Sequence, residues 1–309
     1  MRRAADLKDL DGIFLLDKPA GPSSNQALQR VRRLLRARKA GHAGTLDPLA
    51  TGLLPILCGE ATKFAGSLAE AEKTYEATVW FGVRTTTGDL GGAILAQNSV
   101  DMTPEQIHEV AAQFRGEIRQ VPPMHSAIKV DGRPLYERAH RGETIERASR
   151  MVQIMELTVD DLRSDECDIR VRCSKGTYIR TLAEDMGRTL GCGATLKRLR
   201  RTTVGPFHIE SAIALEELES GGYLSAETKL LPVDAALRHL PEIRLRPVAT
   251  AQLLRGQAIT VEAEPAALVR IYDTDSQRFI GVGSVNAGVL RANRLVAASR
   301  ELAVAPEIA

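Results

Sequence analysis

Residues 13–16 form an unbroken apolar run, Ile13, Phe14, Leu15 and Leu16, that ends in a Pro19, Gly21, Pro22 turn. This is the pattern of a short buried strand. Ser23 followed three residues later by Gln26 makes a capping box, which predicts a helix start. The helix then places Ala27, Leu28, Val31, Leu34 and Leu35 on one face. Residues 73–82 alternate, with Tyr75, Ala77, Val79 and Phe81 on one side of a strand. Thr103 and Pro104 open a second helix, as N-cap and first residue, whose apolar set is Ile107, Val110, Ala111 and Phe114. Two strands are expected at 151–162 and 168–173, then a turn at 174–177. A helix follows at about 178–190, carrying Leu182, Met186 and Leu190.

Between these periodic stretches the pattern fails twice. From 122 to 150 the chain is polar and basic, with Lys129, Arg133, Arg138, Arg141, Arg147 and Arg150 and too few apolar residues for a core. It reads as a surface arm, one that either stays mobile or closes on a polyanion. Residues 213–237 read as a weakly helical linker, and a boundary falls near 240. Beyond it come a short helix opened by Arg246 and Pro247 and three strands at 267–272, 279–285 and 289–296. The expected organisation is a large α+β domain, 1–240, carrying the arm, and a small β domain, 241–309, near the lower size at which a core stands alone.

Composition narrows the function classes. A chain of 309 residues fits one large and one smaller domain, and 44% hydrophobic with 26% charged residues is ordinary for a folded soluble protein. The formal net charge of +2 does not by itself imply nucleic acid, so that reading must rest on local clusters. The first residues lack an apolar signal region, and the first apolar run is too short to span a bilayer, so the expected location is cytoplasmic, with no membrane partner. Cys58, Cys167, Cys173 and Cys192 have no Cys-x-x-Cys spacing and the histidines form no zinc pair, which argues against a metal site and for reduced thiols. Phosphate-loop and complete dinucleotide motifs are absent, so no cofactor is expected.

One stretch carries unusual chemistry. Gly41, His42, Gly44, Asp47, Pro48 and Gly52 crowd one loop, in which Pro48 biases Asp47 away from helical backbone. Taken locally, this is a structural turn whose Asp bonds its own backbone. The flanks favour a different reading. Arg30, Arg32, Arg33, Arg36, Arg38 and Lys39 precede the loop with no acid between Ser23 and Leu46, and unmixed charge of this kind suits an anionic partner. A second basic run covers 197–201. Arg180 lies in the first turn of its helix, where the helix dipole disfavours a cation, so a specific carboxylate partner is expected. Three basic segments around one constrained carboxylate are consistent with RNA binding, with or without catalysis.

Four blocks, in order, resemble the TruB family of bacterial tRNA pseudouridine-55 synthases. They are the run from Gly12 to Ser24, the run from Gly41 to Pro55 containing Gly44-Thr45-Leu46-Asp47-Pro48, Lys73-Thr74-Tyr75, and the run from Cys173 to Leu182. The resemblance implies a pseudouridine synthase fold, with a large mostly antiparallel mixed sheet and a central cleft, followed by a PUA-like RNA-binding domain. It implies isomerisation of uridine 55 in the tRNA T-loop by base flipping, with no cofactor and no metal. By position, Asp47 would be the catalytic aspartate, Arg180 its arginine partner and Tyr75 the tyrosine against the target base. Tyr178 and Leu199 would line the uridine pocket, and His42 would fill the space the flipped nucleotide leaves. Lys18 and Lys63 fall where the family has basic residues near the active site. Arg30, Arg33, Lys129, Arg141, Lys197 and Arg200 are the expected backbone contacts to the T-arm. The compact chain argues for a monomer acting on tRNA without a guide RNA.

Overall fold

The computed structural model describes residues 7–296 except 127, 131 and 140, with backbone alone at 129, 134 and 222–226. The chain opens with β1 (Gly12–Lys18), α1 (Ser24–Leu34), β2 (Ala40–His42) and β3 (Thr51–Cys58). A 3-10 turn, Gly59–Phe64, leads to α2 (Ala65–Glu70) and β4 (Lys73–Phe81). Next come the hairpin β5 (Val83–Thr85) and β6 (Ile94–Gln97), α3 (Pro104–Gln113) and β7 (Gly116–Gln120). The arm holds β8 (Lys129–Val130), β9 (Arg133–Pro134) and α4 (Leu135–Ala139). After it follow β10 (Arg150–Asp160), β11 (Glu166–Cys173), α5 (Ile179–Thr189), β12 (Ala194–Val204), β13 (Phe207–His208), β14 (Ile213–Ala214) and α6 (Leu215–Glu227).

Ten of these strands form one sheet in the order β14-β1-β3-β12-β4-β11-β10-β7, with β2 on β3 and β13 on β12. Most pairings are antiparallel. The exception that matters is a short parallel contact at the centre, where Arg200 pairs with Thr51 and Arg201 with Gly52. This contact joins two antiparallel halves. The loop from β2 to β3 emerges at the seam, so the sheet topology places Asp47 in the middle of the molecule. Helix α5 buries Leu182, Ala183 and Met186 against one half. Helices α1 and α6 bury Ala27, Leu28, Val31, Leu215 and Leu218 against the other. Tyr75 and Leu199 pack against both cores, which marks them as seam residues.

The local signals act as their chemistry requires. Ser23 and Gln26 form a reciprocal capping box on α1, and Thr103 and Gln106 form another on α3. Residues 213–237 are more than a linker. β14 adds a parallel strand to β1, Leu215 and Leu218 are buried, and Ile13 exchanges backbone bonds with Leu231. Their acid-rich polar face hid a role that depends on distant partners. The arm is also better anchored than its composition suggests, since Leu135 is only 1% exposed.

The C-terminal residues build β15 (Glu242–Leu245), α7 (Pro247–Leu254), β16 (Ile259–Thr260), β17 (Ala266–Asp273), β18 (Phe279–Asn286) and β19 (Val289–Leu295). The strands form a five-stranded sheet ordered β15-β17-β18-β19-β16 around Leu253, Ile271, Ile280 and Leu290. Phe64, Leu237, Val282 and Val296 make the apolar joint to the large domain, and Phe64 meets Phe279 edge-on at 5.7 Å. Among the described residues no helix is long and apolar enough to cross a membrane. All four cysteines are free and buried.

Candidate active site

The loop after β2 is held from four sides. Ser24 Oγ accepts from the Leu46 amide at 2.8 Å and donates to the Leu46 carbonyl at 2.9 Å. Lys18, fully buried, donates to the carbonyls of Pro19, Pro22 and Pro48 at 2.8, 2.9 and 3.3 Å. Burial pushes its ammonium down to about 8, with Asp47 pulling the other way. Arg201, 1% exposed, donates to the Leu53 and Gly44 carbonyls, both at 2.9 Å. Gly52 has φ +104, and a Cβ there would sit 2.2 Å from the Arg201 carbonyl oxygen. Only glycine permits this approach.

Asp47 therefore rests on fixed backbone, and its Oδ2 meets Arg180 Nε at 2.9 Å. Each nitrogen of the guanidinium has a partner. Nη1 donates to the Thr87 carbonyl at 2.8 Å, Nη2 to the His125 carbonyl at 2.7 Å, and Asp89 stands 3.7 Å from Nε. One side chain thus ties together the loop, the turn after β5 and the base of the arm. Burial pushes the Asp47 carboxyl above its usual value, and Arg180 opposes that push. Arg180 is 4% exposed and Asp47 34%, so the carboxylate still reaches open space.

That space is a cavity of about 320 Å³ lined by Asp47, Tyr75, Tyr178, Arg180, Leu199 and Arg201, with Ser126 and Ile128 of the arm as its outer wall. Tyr75 faces Arg201 in the β4–β12 register and is half-buried. Burial raises the Tyr75 phenol, so it stays protonated at neutral pH, and the same holds for Tyr178. The cavity has an aromatic wall, an apolar wall and one carboxylate. It suits a planar ring attached to a polar backbone.

The structure separates the other expected residues. His42 stands at the end of β2, half-buried, its Nδ1 without a partner, and burial and Arg201 hold its imidazole neutral. Lys63 lies elsewhere. It bonds Glu60 at 2.6 Å and the Leu295 carbonyl at 3.0 Å, at the joint with the C-terminal domain. The basic run at 197–201 is not a free cationic strip, because β12 is a central strand whose long side chains reach acids two strands away, on β11 and β1. Lys197 pairs with Glu166 and lies 5.7 Å from the Trp80 ring centre, while Arg200 grips Asp17 through two bonds of 3.0 and 2.7 Å. Arg201 is a buried clamp. The α1 cations are also partly compensated, Arg30 by Glu219 at 3.8 Å and Arg38 by Asp9 at 2.9 Å. Arg33 and Arg141 are exposed, and the Lys129 side chain lies outside the described residues. Sequence reasoning missed Ser24, Asp89 and the true role of Arg201. The parity of Arg201 with Leu199 on β12 was the available signal.

A seam-centred mixed sheet with a carboxylate–arginine pair in a ring-sized cavity defines the class, and solved structures share the fold. Cbf5 in a Cbf5–Nop10–Gar1 complex superposes with a TM-score of 0.73 over 94% of this chain and 86% of that one, at 26% identity. An H/ACA RNP bound to a substrate RNA containing 2′-deoxyuridine has the same fold, with a TM-score of 0.70 over 96% and 92% of the two chains at 23% identity. The family models point to one branch. That of the TruB family pseudouridylate synthase N-terminal domain matches residues 32–179. The tRNA pseudouridylate synthase B C-terminal domain matches 180–240, and the pseudouridine synthase II TruB C-terminal model matches 241–296. The tRNA pseudouridine synthase B of Azoarcus sp. (strain BH72) is 49% identical over 96% of this chain and 98% of its own length. That of Aromatoleum aromaticum is 51% identical over 93% of each. The chain belongs to the TruB family of pseudouridylate synthases.

Proposed function

We propose that this protein converts uridine 55 in the T-loop of tRNA to pseudouridine, with Asp47 as the catalytic group. The observation that carries the reading is the Asp47 carboxylate, held 2.9 Å from Arg180 at the floor of an aromatic-walled cavity. The reaction breaks the bond from ribose C1′ to N1, turns the uracil, and joins C1′ to C5. N1 gains a proton and C5 loses one, so atoms balance without any co-reactant.

The target base must first leave the stack, at a cost of a few kcal/mol that contacts in the pocket offset. Tyr75 supplies the ring against which uracil stacks, while Tyr178 and Leu199 bound it. Asp47 acts as an ionised carboxylate, by attack at C1′, by attack at the base, or by starting elimination through the ribose. Arg180 keeps it charged in a setting that favours the proton. His42, neutral and with Nδ1 unpartnered, suits the gap left among the RNA bases. RNA loops are held through shape, stacking and phosphates. Exposed Arg33 and Arg141, with Arg30 and Lys129, are the proposed backbone contacts, and the C-terminal sheet is a further RNA-binding surface. The protein acts in the cytoplasm, as a monomer, without a guide RNA. Names and near-full coverage of the curated relatives support tRNA as substrate.

The test is modification mapping on an unmodified tRNA transcript with this protein alone. Pseudouridine at position 55, lost in Asp47→Asn while tRNA binding persists, is the expected result. Modification elsewhere, or a requirement for added guide RNA, overturns the assignment.

A further inference from the structure

A second cavity, about 670 Å³, lies across Arg180 from the Asp47 cavity. Its wall includes Arg84, Arg119, Arg147 and Arg188, with Glu184 and Asp185 as the acids. Arg188 is paired with Asp185, which leaves three arginines facing one carboxyl. Burial pushes the Glu184 carboxyl up, which weakens its negative charge as a counterweight. Arg84 and Arg119 are exposed and enter no ion pair among the described residues.

Two buried polar atoms here have no partner. They are Thr181 Oγ1, on a residue only 7% exposed, and Arg147 Nε. A buried donor without an acceptor costs about 1–3 kcal/mol, so their presence in one cavity wall points to an occupant that accepts hydrogen bonds. The arginine forks match tetrahedral oxyanions.

We propose that this cavity is a phosphate-binding site, distinct from the Asp47 cavity and sharing a wall with it. The wall is specific. Thr87 and His125 both line the phosphate cavity, and their carbonyls are the acceptors that hold the Arg180 guanidinium. A phosphate seated there steadies the base of the arm and, through Arg180, the Asp47 carboxylate. The phosphate is either a free anion or part of an RNA backbone, and the free-anion case does not depend on tRNA being the substrate.

The experiment uses the full chain and the double variant Arg84→Gln, Arg119→Gln. Thermal melts are recorded in potassium phosphate and in potassium chloride at matched ionic strength. Phosphate stabilises most proteins by exclusion from their surface, so the diagnostic quantity is the saturable part that the variant lacks. The expected result is a saturable rise in melting temperature in wild type, with phosphate affinity at least about tenfold weaker in the variant. In the second arm, tRNA affinity is measured against salt. A backbone phosphate predicts weaker tRNA binding in the variant and a salt slope lower by about 1. A free anion predicts unchanged tRNA binding with the phosphate response intact in the complex. An identical phosphate response in both proteins, or no saturable response together with unchanged tRNA affinity, overturns the site. If the double variant melts low in chloride alone, the double variant Arg84→Lys, Arg119→Lys keeps the charge and loses the forks, so its phosphate affinity should fall below that of wild type, and an affinity equal to wild type also overturns the proposal.

Discussion

The loop at 41–52 and the arm at 122–150 wall the same cavity and are built in opposite ways. The loop is fixed by bonds from Ser24, Lys18, Arg201 and Arg180, all to its backbone or to Asp47 itself. Among the described residues the arm is tied to the large domain by the bond from Arg180 to the His125 carbonyl, it is braced internally by Arg147 on the Pro122 carbonyl, and it buries Leu135. A reacting group has to be held within about 0.5 Å of its working geometry. On the proposed function, the other wall has to open to admit a folded RNA stem. The molecule divides the two requirements between two segments and lets Arg180 touch both.

The largest effect should come from the fixed side. Asp47→Asn keeps the shape of the loop and removes its charge, so pseudouridine formation should fall about 10⁴-fold or more in single-turnover assays. An unchanged rate would remove Asp47 from the chemistry. In wild type, activity should drop as pH falls through a value above the ordinary carboxylate range, because burial raises the Asp47 pKa and only the ionised form acts.

Gly52→Ala tests whether the loop is over-determined. At φ +104, with the Arg201 carbonyl 2.2 Å from the new Cβ, the variant must break the central parallel pairing. Strain and overpacking together predict a loss of about 3–5 kcal/mol in denaturant unfolding. A loss below about 1 kcal/mol would show that the seam yields easily.

Arg180→Lys keeps the charge and loses the fork that reaches Thr87 and His125. Activity should fall about 10²–10³-fold. The acid limb of the pH profile should also move upward, because the opposing cation is less well placed and burial then dominates the Asp47 titration. A lower rate with an unmoved limb would mean that Arg180 acts on the RNA and not on Asp47.

How much of this was legible follows the same division. Local chemistry was readable wherever a short-range rule applied: the capping boxes at Ser23 and Thr103, the alternation around Tyr75, and Pro247 at the start of α7. The Asp47 block was readable because its residues are contiguous. What stayed hidden is made by long-range register. Arg201 looks like one more cation in a basic run until β12 is placed between β3 and β4, where its fork points inward. Asp89 sits in an ordinary threonine-rich turn until the fold brings it to Arg180. The compensation of Lys197 and Arg200 by Glu166 and Asp17 joins residues 31 and 183 positions apart, beyond any periodicity.

Ser24→Ala probes one clamp alone. The hydroxyl makes two buried bonds to Leu46, and the variant leaves an amide and a carbonyl unpaired one residue before Asp47. The expected cost is about 1–3 kcal/mol of stability. The activity loss should exceed the loss in tRNA affinity, because the clamp positions a reacting group. Equal losses in both would make Ser24 a general support of the fold.

The smallest expected effect contrasts the two walls directly, by amide hydrogen exchange of the free protein. The Leu46 amide is bonded to a buried hydroxyl and should open only with the large domain, near the global free energy of unfolding. Residues 144–149 form no regular element and are mostly exposed, so their amides should open at under about 1 kcal/mol. Bound tRNA should slow exchange in the arm and leave Leu46 where it was, because the loop is already ordered. If Leu46 exchanges as fast as the arm, the bonds from Ser24 and Arg201 do not hold the loop in solution. If the arm is as slow as Leu46 before RNA is added, its contacts in the free protein are enough to close it. The opening step then belongs to another part of the cavity wall.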